Sequence, residues 1–77
     1  MMLVVLNNKC NFNLDEYLDY QNKLKNLNFK NDIVLCPSSV YLSNFELENV
    51  FLGSQNVSPF NDGAYTGEVS ARQLKSL

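Results

Sequence analysis

Asn7 and Lys9 follow an apolar run, Leu3-Val4-Val5-Leu6, and their types and spacing are the best suited to chemistry in this chain. A lysine ammonium at the carboxyl end of a strand can neutralise an anionic group and stabilise negative charge developing on a carbonyl oxygen. The bland alternative is a solvated surface lysine. The amide of Asn7 offers both donor and acceptor, which can orient what the lysine attracts; the same residue serves equally well in a turn. A second polar set, Gln55, Asn56, Thr66 and Glu68, lies in the stretch 53–68 between Val50-Phe51-Leu52 and a helix start at Ser70. Loops beyond about 12–15 residues are usually functional or disordered. Val57, Phe60 and Tyr65 are spaced to pack on something, which favours function.

The elements that must position these groups read off the same rows. Leu3 to Leu6 is a continuous apolar run of the kind found in a parallel strand covered on both faces. Alternation puts residues 3, 5, 7 and, if the extended form persists, 9 on one side. Asn13 is placed to cap a helix, with Glu16 returning a bond to its amide and Phe12 packing on Tyr17 as a hydrophobic staple. Leu14, Tyr17, Leu18, Gln21, Leu24 and Leu27 then form one apolar stripe, opposite Asp15, Asp19, Asn22 and Lys25. Asp15 and Glu16 suit the first turn, and Lys23 and Lys25 the other end; the helix is expected to stop near 26–28.

Ile33-Val34-Leu35-Cys36 predicts a second strand, stopped by Pro37. Ser38 or Ser39 can cap a short second helix through Val40, Tyr41, Leu42 and Phe45. Val50-Phe51-Leu52 predicts a third strand, with Gly53 allowing a close approach of backbone. Pro59 and Asp62-Gly63 read as turn chemistry only, and Gly67 as a position whose backbone geometry would strain other residues. Ser70 and Gln73 form a second capping box, opening a helix with Ala71, Leu74 and Leu77 on one face. Strand alternating with helix three times predicts an α/β fold with parallel strands and right-handed crossovers.

Seventy-seven residues allow one small domain at most, and such a chain buries only roughly 60% of its unfolded surface. The net charge of −2, without a basic stripe, argues against nucleic acid. The apolar amino terminus is six residues long and lacks a basic flank, so neither a signal peptide nor a membrane span is expected. Twelve asparagines are dispersed rather than tracted, which excludes a low-complexity reading. There is no histidine, and Cys10 and Cys36 lie far apart without a CxxC. A metal site or redox pair is therefore not expected, and both cysteines read as buried small hydrophobes. The expected compartment is the cytoplasm.

The run Gly53-Ser54-Gln55-Asn56-Val57-Ser58, followed by Gly63-Ala64-Tyr65-Thr66-Gly67-Glu68-Val69-Ser70, resembles the third strand and third loop of the triosephosphate isomerase family. Asn7-Asn8-Lys9-Cys10 resembles that family's first-loop motif, with Asn8 where tryptophan is usual and Cys10 where methionine is usual. The resemblance spans nearly the whole chain, strongly in 50–77, moderately in 3–11 and 33–42, and by pattern alone in the first helix. It implies that residues 1–77 are the amino-terminal part of a (β/α)8 (TIM) barrel, incomplete at the carboxyl end; the third helix has only about two turns, and such barrels run to about 250 residues.

The resemblance also implies an activity, the interconversion of dihydroxyacetone phosphate and glyceraldehyde 3-phosphate through an enediol, with no metal or cofactor. Lys9 would be a catalytic and substrate-binding group and Asn7 a substrate-binding one. Gln55 and Asn56 would bridge the first and third loops, while Tyr65, Thr66, Gly67 and Glu68 would enter the neighbouring subunit of a homodimer. The family's histidine and glutamate belong to its fourth and sixth strands and are absent here, so these residues alone are expected to be inactive. An alternative is a non-catalytic piece that associates through an open sheet edge and the third loop. A flavodoxin-like binding module explains the alternation, but it leaves the third loop unexplained and would want a glycine-rich first turn.

Overall fold

The computed structural model describes residues 2–77. Strand β1 (Leu3–Asn7) leads through helix α1 (Leu14–Lys25) to β2 (Asp32–Cys36). A 3-10 helix (Ser39–Asn44) then precedes β3 (Phe51–Leu52), and α2 (Ala71–Lys75) follows the long loop. The strands form one sheet in the order β1-β2-β3. Both pairings are parallel, with Val5 beside Val34 and Val34 beside Phe51. The alternation of elements thus produces the expected parallel sheet, and three strands leave it unclosed.

Register decides which residues meet the helices. Val4, Leu6, Ile33 and Leu35 pack with Tyr17 and Leu24 of α1 and with Leu47 and Val50. Leu3, Val5 and Phe51 point the other way and are 63, 54 and 62% exposed. The apolar run of β1 was expected to be covered on both faces; one face is bare, because no further layer among the described residues lies against it. The α1 stripe is likewise only part-used. Tyr17, Gln21 and Leu24, at successive turns, are buried, whereas Leu14, Leu18 and Leu27 remain exposed. A sheet three strands wide seats one ridge of the helix rather than the whole stripe.

Local signals set the helix ends. Asn13 Oδ1 accepts from Glu16 N at 2.9 Å, and Glu16 Oε1 accepts from Asn13 N at 3.1 Å. The helix ends at Lys25, with Asn26 as its C-cap, while Asn49 Nδ2 donates to the carbonyls of Leu24 and Leu27. Gln21 reaches across to the backbone of Asn44 and Glu46, so the buried amide is satisfied as burial requires. The expected staple is rearranged. Phe12 has φ +73, which turns its ring onto Tyr20 at 5.2 Å, and Tyr17 stacks instead on Tyr41 at 5.2 Å. Burial first, and then the nearby Tyr20, push the Tyr17 phenol up to about 12.

Other expectations are corrected. The second helix is a single 3-10 segment, and Ser38, its N-cap by position, makes no capping bond through its side chain. The third strand is Phe51–Leu52, with Val50 buried just before it. Cys36 is buried and Cys10 is exposed; both are free thiols. Burial raises the Cys36 thiol above its ordinary pKa, while Cys10 lies beyond the end of β1, where no layer covers it. No helix among the described residues is long and apolar enough to cross a membrane.

Candidate active site

Parallel strands bring their carboxyl ends to one rim, and there the first loop is tied to the other two strands. β1 ends at Asn7, where Asn8 N donates to Cys36 O at 3.1 Å. The extended form does not persist to residue 9, because Lys9 adopts φ +54. Alternation therefore cannot place Lys9; hydrogen bonds do. Lys9 N donates to Asn7 Oδ1 at 2.9 Å. The Lys9 carbonyl accepts from Ser38 Oγ and from Gln55 Nε2, each at 2.9 Å. Gln55 Nε2 also donates to Cys36 O at 2.9 Å. Groups that follow β1, β2 and β3 thus converge on one backbone unit.

Asn7 and Lys9 are both exposed. Among the described residues no carboxylate lies within ion-pair distance of the Lys9 ammonium, so its charge is available to an anion. A non-glycine residue in the left-handed region is unfavourable and persists only where its surroundings over-determine it. Such residues cluster at functional sites.

Gly53 sets the approach of the third strand to this rim. Its amide donates to Leu35 O at 2.8 Å. A Cβ there would stand 2.8 Å from both Cys36 Sγ and Val34 Cγ1. A close approach of backbone was expected at this glycine; what fills its missing volume is instead the side chains of Cys36 and Val34.

The long loop is folded on itself. Ser58 N donates to Val69 O at 2.8 Å, closing a neck. Above it the Phe60 and Tyr65 rings stack 4.4 Å apart. Asp62, expected to do turn chemistry only, clasps the helix start: Oδ1 accepts from Ser70 Oγ at 2.6 Å, and Oδ2 meets Arg72 at 2.7 Å. Those bonds, from Ser70 first and Arg72 second, hold the Asp62 carboxyl below the usual carboxylate range. Ser70 and Gln73 form the expected reciprocal cap.

Beyond the ring stack, Thr66, Gly67 and Glu68 stand exposed with Tyr65. Gly67 has φ +83, a left-handed backbone that suits glycine. Asn56 is exposed, and its Oδ1 accepts from Val57 N at 2.9 Å. It does not reach the first loop; Gln55 does. The rim therefore brings Asn7, Lys9 and Gln55 together, and Gly67 and Glu68 share a shallow cleft with Gln55 and Asn56. Ser38 was read only as a helix cap. Its role at the rim carries no signal in the sequence, because the hydroxyl's acceptor is 29 residues away.

A model of the family described as triosephosphate isomerase matches residues 2–77. The triosephosphate isomerase of Campylobacter hominis is 34% identical over 83 aligned residues, covering 99% of this chain and 35% of the relative. That of Wolbachia pipientis is 37% identical over 79, covering 97% and 33%, and that of Colwellia psychrerythraea is 46% identical over 54, covering 60% and 21%. The chain spans at most about a third of these relatives' length. With the whole described chain matched and the parallel β/α order in place, this chain belongs to the triosephosphate isomerase family.

Proposed function

We propose that this chain is the opening sector of a triosephosphate isomerase and supplies the enzyme's cationic corner. Lys9 binds the phosphorylated triose and offsets the negative charge that develops as its carbonyl becomes an enediolate, and Asn7 orients the substrate beside it. The observation that carries this reading is the Lys9 backbone, held left-handed at the rim by groups following all three strands. Barrel enzymes build their sites at this carboxyl-end rim.

On this reading no metal or cofactor takes part, and the proton-transferring groups come from outside these 77 residues. Tyr65, Thr66, Gly67 and Glu68 reach into a neighbouring subunit of a homodimer, with Gln55 and Asn56 at the root of the same loop. The compartment this reading implies is the cytoplasm, where the enzyme serves glycolysis and gluconeogenesis.

The test is an isomerisation assay of the chain alone and mixed with the carboxyl-terminal part of the Wolbachia pipientis relative beyond the matched segment. The expected result is no turnover alone, turnover in the mixture, and a loss of several orders of magnitude with Lys9→Ala. Complex formation without turnover, or turnover indifferent to Lys9→Ala, overturns the proposal. The first of those outcomes would support the second reading, a non-catalytic piece that associates through its open sheet edge and third loop, which the edge positions of β1 and β3 favour.

A further inference from the structure

Two side chains from different parts of the chain converge on the carbonyl of Lys9. Ser38 Oγ and Gln55 Nε2 both donate to it at 2.9 Å, which occupies both of its lone pairs. On the other side of the same Cα, Lys9 N is held by Asn7 Oδ1. The two peptide groups flanking Lys9 are thereby fixed, and with them φ +54 and the direction in which the side chain departs.

The donors are not equivalent. Gln55 Nε2 is shared with Cys36 O. Ser38 stands at the N-cap of the 3-10 helix with φ −53 and ψ 141, yet its side chain caps no amide there. It follows the fully buried Pro37, whose ring fixes its own φ. The hydroxyl is thus withdrawn from its local use and directed to a carbonyl 29 residues earlier.

We propose that Ser38 is a positioning residue for Lys9. Its hydroxyl holds the Lys9 carbonyl so that the ammonium projects from a fixed base toward the triose phosphate group. Ser38 touches no substrate and acts through Lys9 alone. The proposal rests on the reading of Lys9 as a substrate-binding group and adds to it the group that holds the lysine ready.

The test uses the complemented mixture described above, with Ser38→Ala, Ser38→Thr and Lys9→Ala compared. Ser38→Ala is expected to raise KM for the triose phosphate and to lower kcat together, because Lys9 acts on both bound substrate and enediolate, so that kcat/KM falls about tenfold, the upper end of what one neutral hydrogen bond supports. Ser38→Thr, which keeps the hydroxyl, is expected to restore both. A fall in kcat at unchanged KM would mean fewer folded molecules and would overturn the positioning role, as would an Ala variant with unaltered constants. If Lys9→Ala is itself without effect, the parent reading fails; if Lys9→Ala is crippling and Ser38→Ala silent, only this inference does. A second measurement needs no turnover: the Lys9 amide-to-Hα coupling and Cα shift in nuclear magnetic resonance of the 77-residue chain. The left-handed signature is expected in the unsubstituted chain and with Ser38→Thr, and is expected to vanish with Ser38→Ala. Its persistence in Ser38→Ala, or its absence from the unsubstituted chain, overturns the proposal.

Discussion

Lys9 sets local preference against tertiary need. At φ +54 a residue with a Cβ is disfavoured by about 1–2 kcal/mol, and glycine is not. Lys9→Gly is therefore expected to stabilise the folded chain by about 1 kcal/mol while removing the ammonium. A urea midpoint that rises as complemented turnover collapses would show that the lysine is kept for chemistry; a fall in both would give it a structural role. The types and spacing of Asn7 and Lys9 were legible because they follow directly on an apolar strand. The left-handed turn was not, since it depends on donors 29 and 46 residues away. For the same reason Ser38 read as a cap: a serine before a helix has a local amide N–H to accept from, and only the fold brings the distant Lys9 carbonyl within reach of its hydroxyl.

Elements whose instructions lie within one turn behaved as their sequence reads. Both capping boxes, at Asn13 and Ser70, close as expected. Elements that depend on a neighbour were less legible: the 3-10 segment was expected as a helix, and β3 is shorter than its apolar run. Gly53 belongs to this second kind. Gly53→Ala would set a methyl 2.8 Å from Cys36 Sγ and Val34 Cγ1, neither of which is a flexible end, and is expected to cost about 1–3 kcal/mol in chemical denaturation. An alanine variant of unchanged stability would show that β2 and β3 can separate freely.

The long loop carries its own pH dependence. Ser70 and Arg72 depress the Asp62 carboxyl, so the clasp's stabilising contribution is complete above the ordinary carboxylate range. It is lost as pH falls through the lowered folded value. The Ser70 and Gln73 amide resonances are expected to move together in that acid window and to be already displaced at neutral pH in Asp62→Asn. Resonances that ignore both changes would leave the clasp without a role in holding the loop.

Taken whole, the molecule has a packed outer layer and an apolar inner face. Leu3, Val5 and Phe51 share that face by register and are more than half exposed, and β1 and β3 both present open edges, which invite pairing. The 77-residue chain is expected to self-associate in sedimentation experiments, and the pair Val5→Glu and Phe51→Glu to shift it toward monomer. Monomeric behaviour of the unsubstituted chain would mean that the face is protected in some other way.

The order of strands and helices, their parallel sense, the two capping boxes and the family were determined by the sequence itself, because apolar period, capping chemistry and loop motif are local properties of the chain. Which face of the sheet is filled, where the Ser38 and Gln55 donors go, and how Lys9 is held were decided only in three dimensions. Those choices are set by register between strands, which brings together atoms that no stretch of sequence shows to be neighbours.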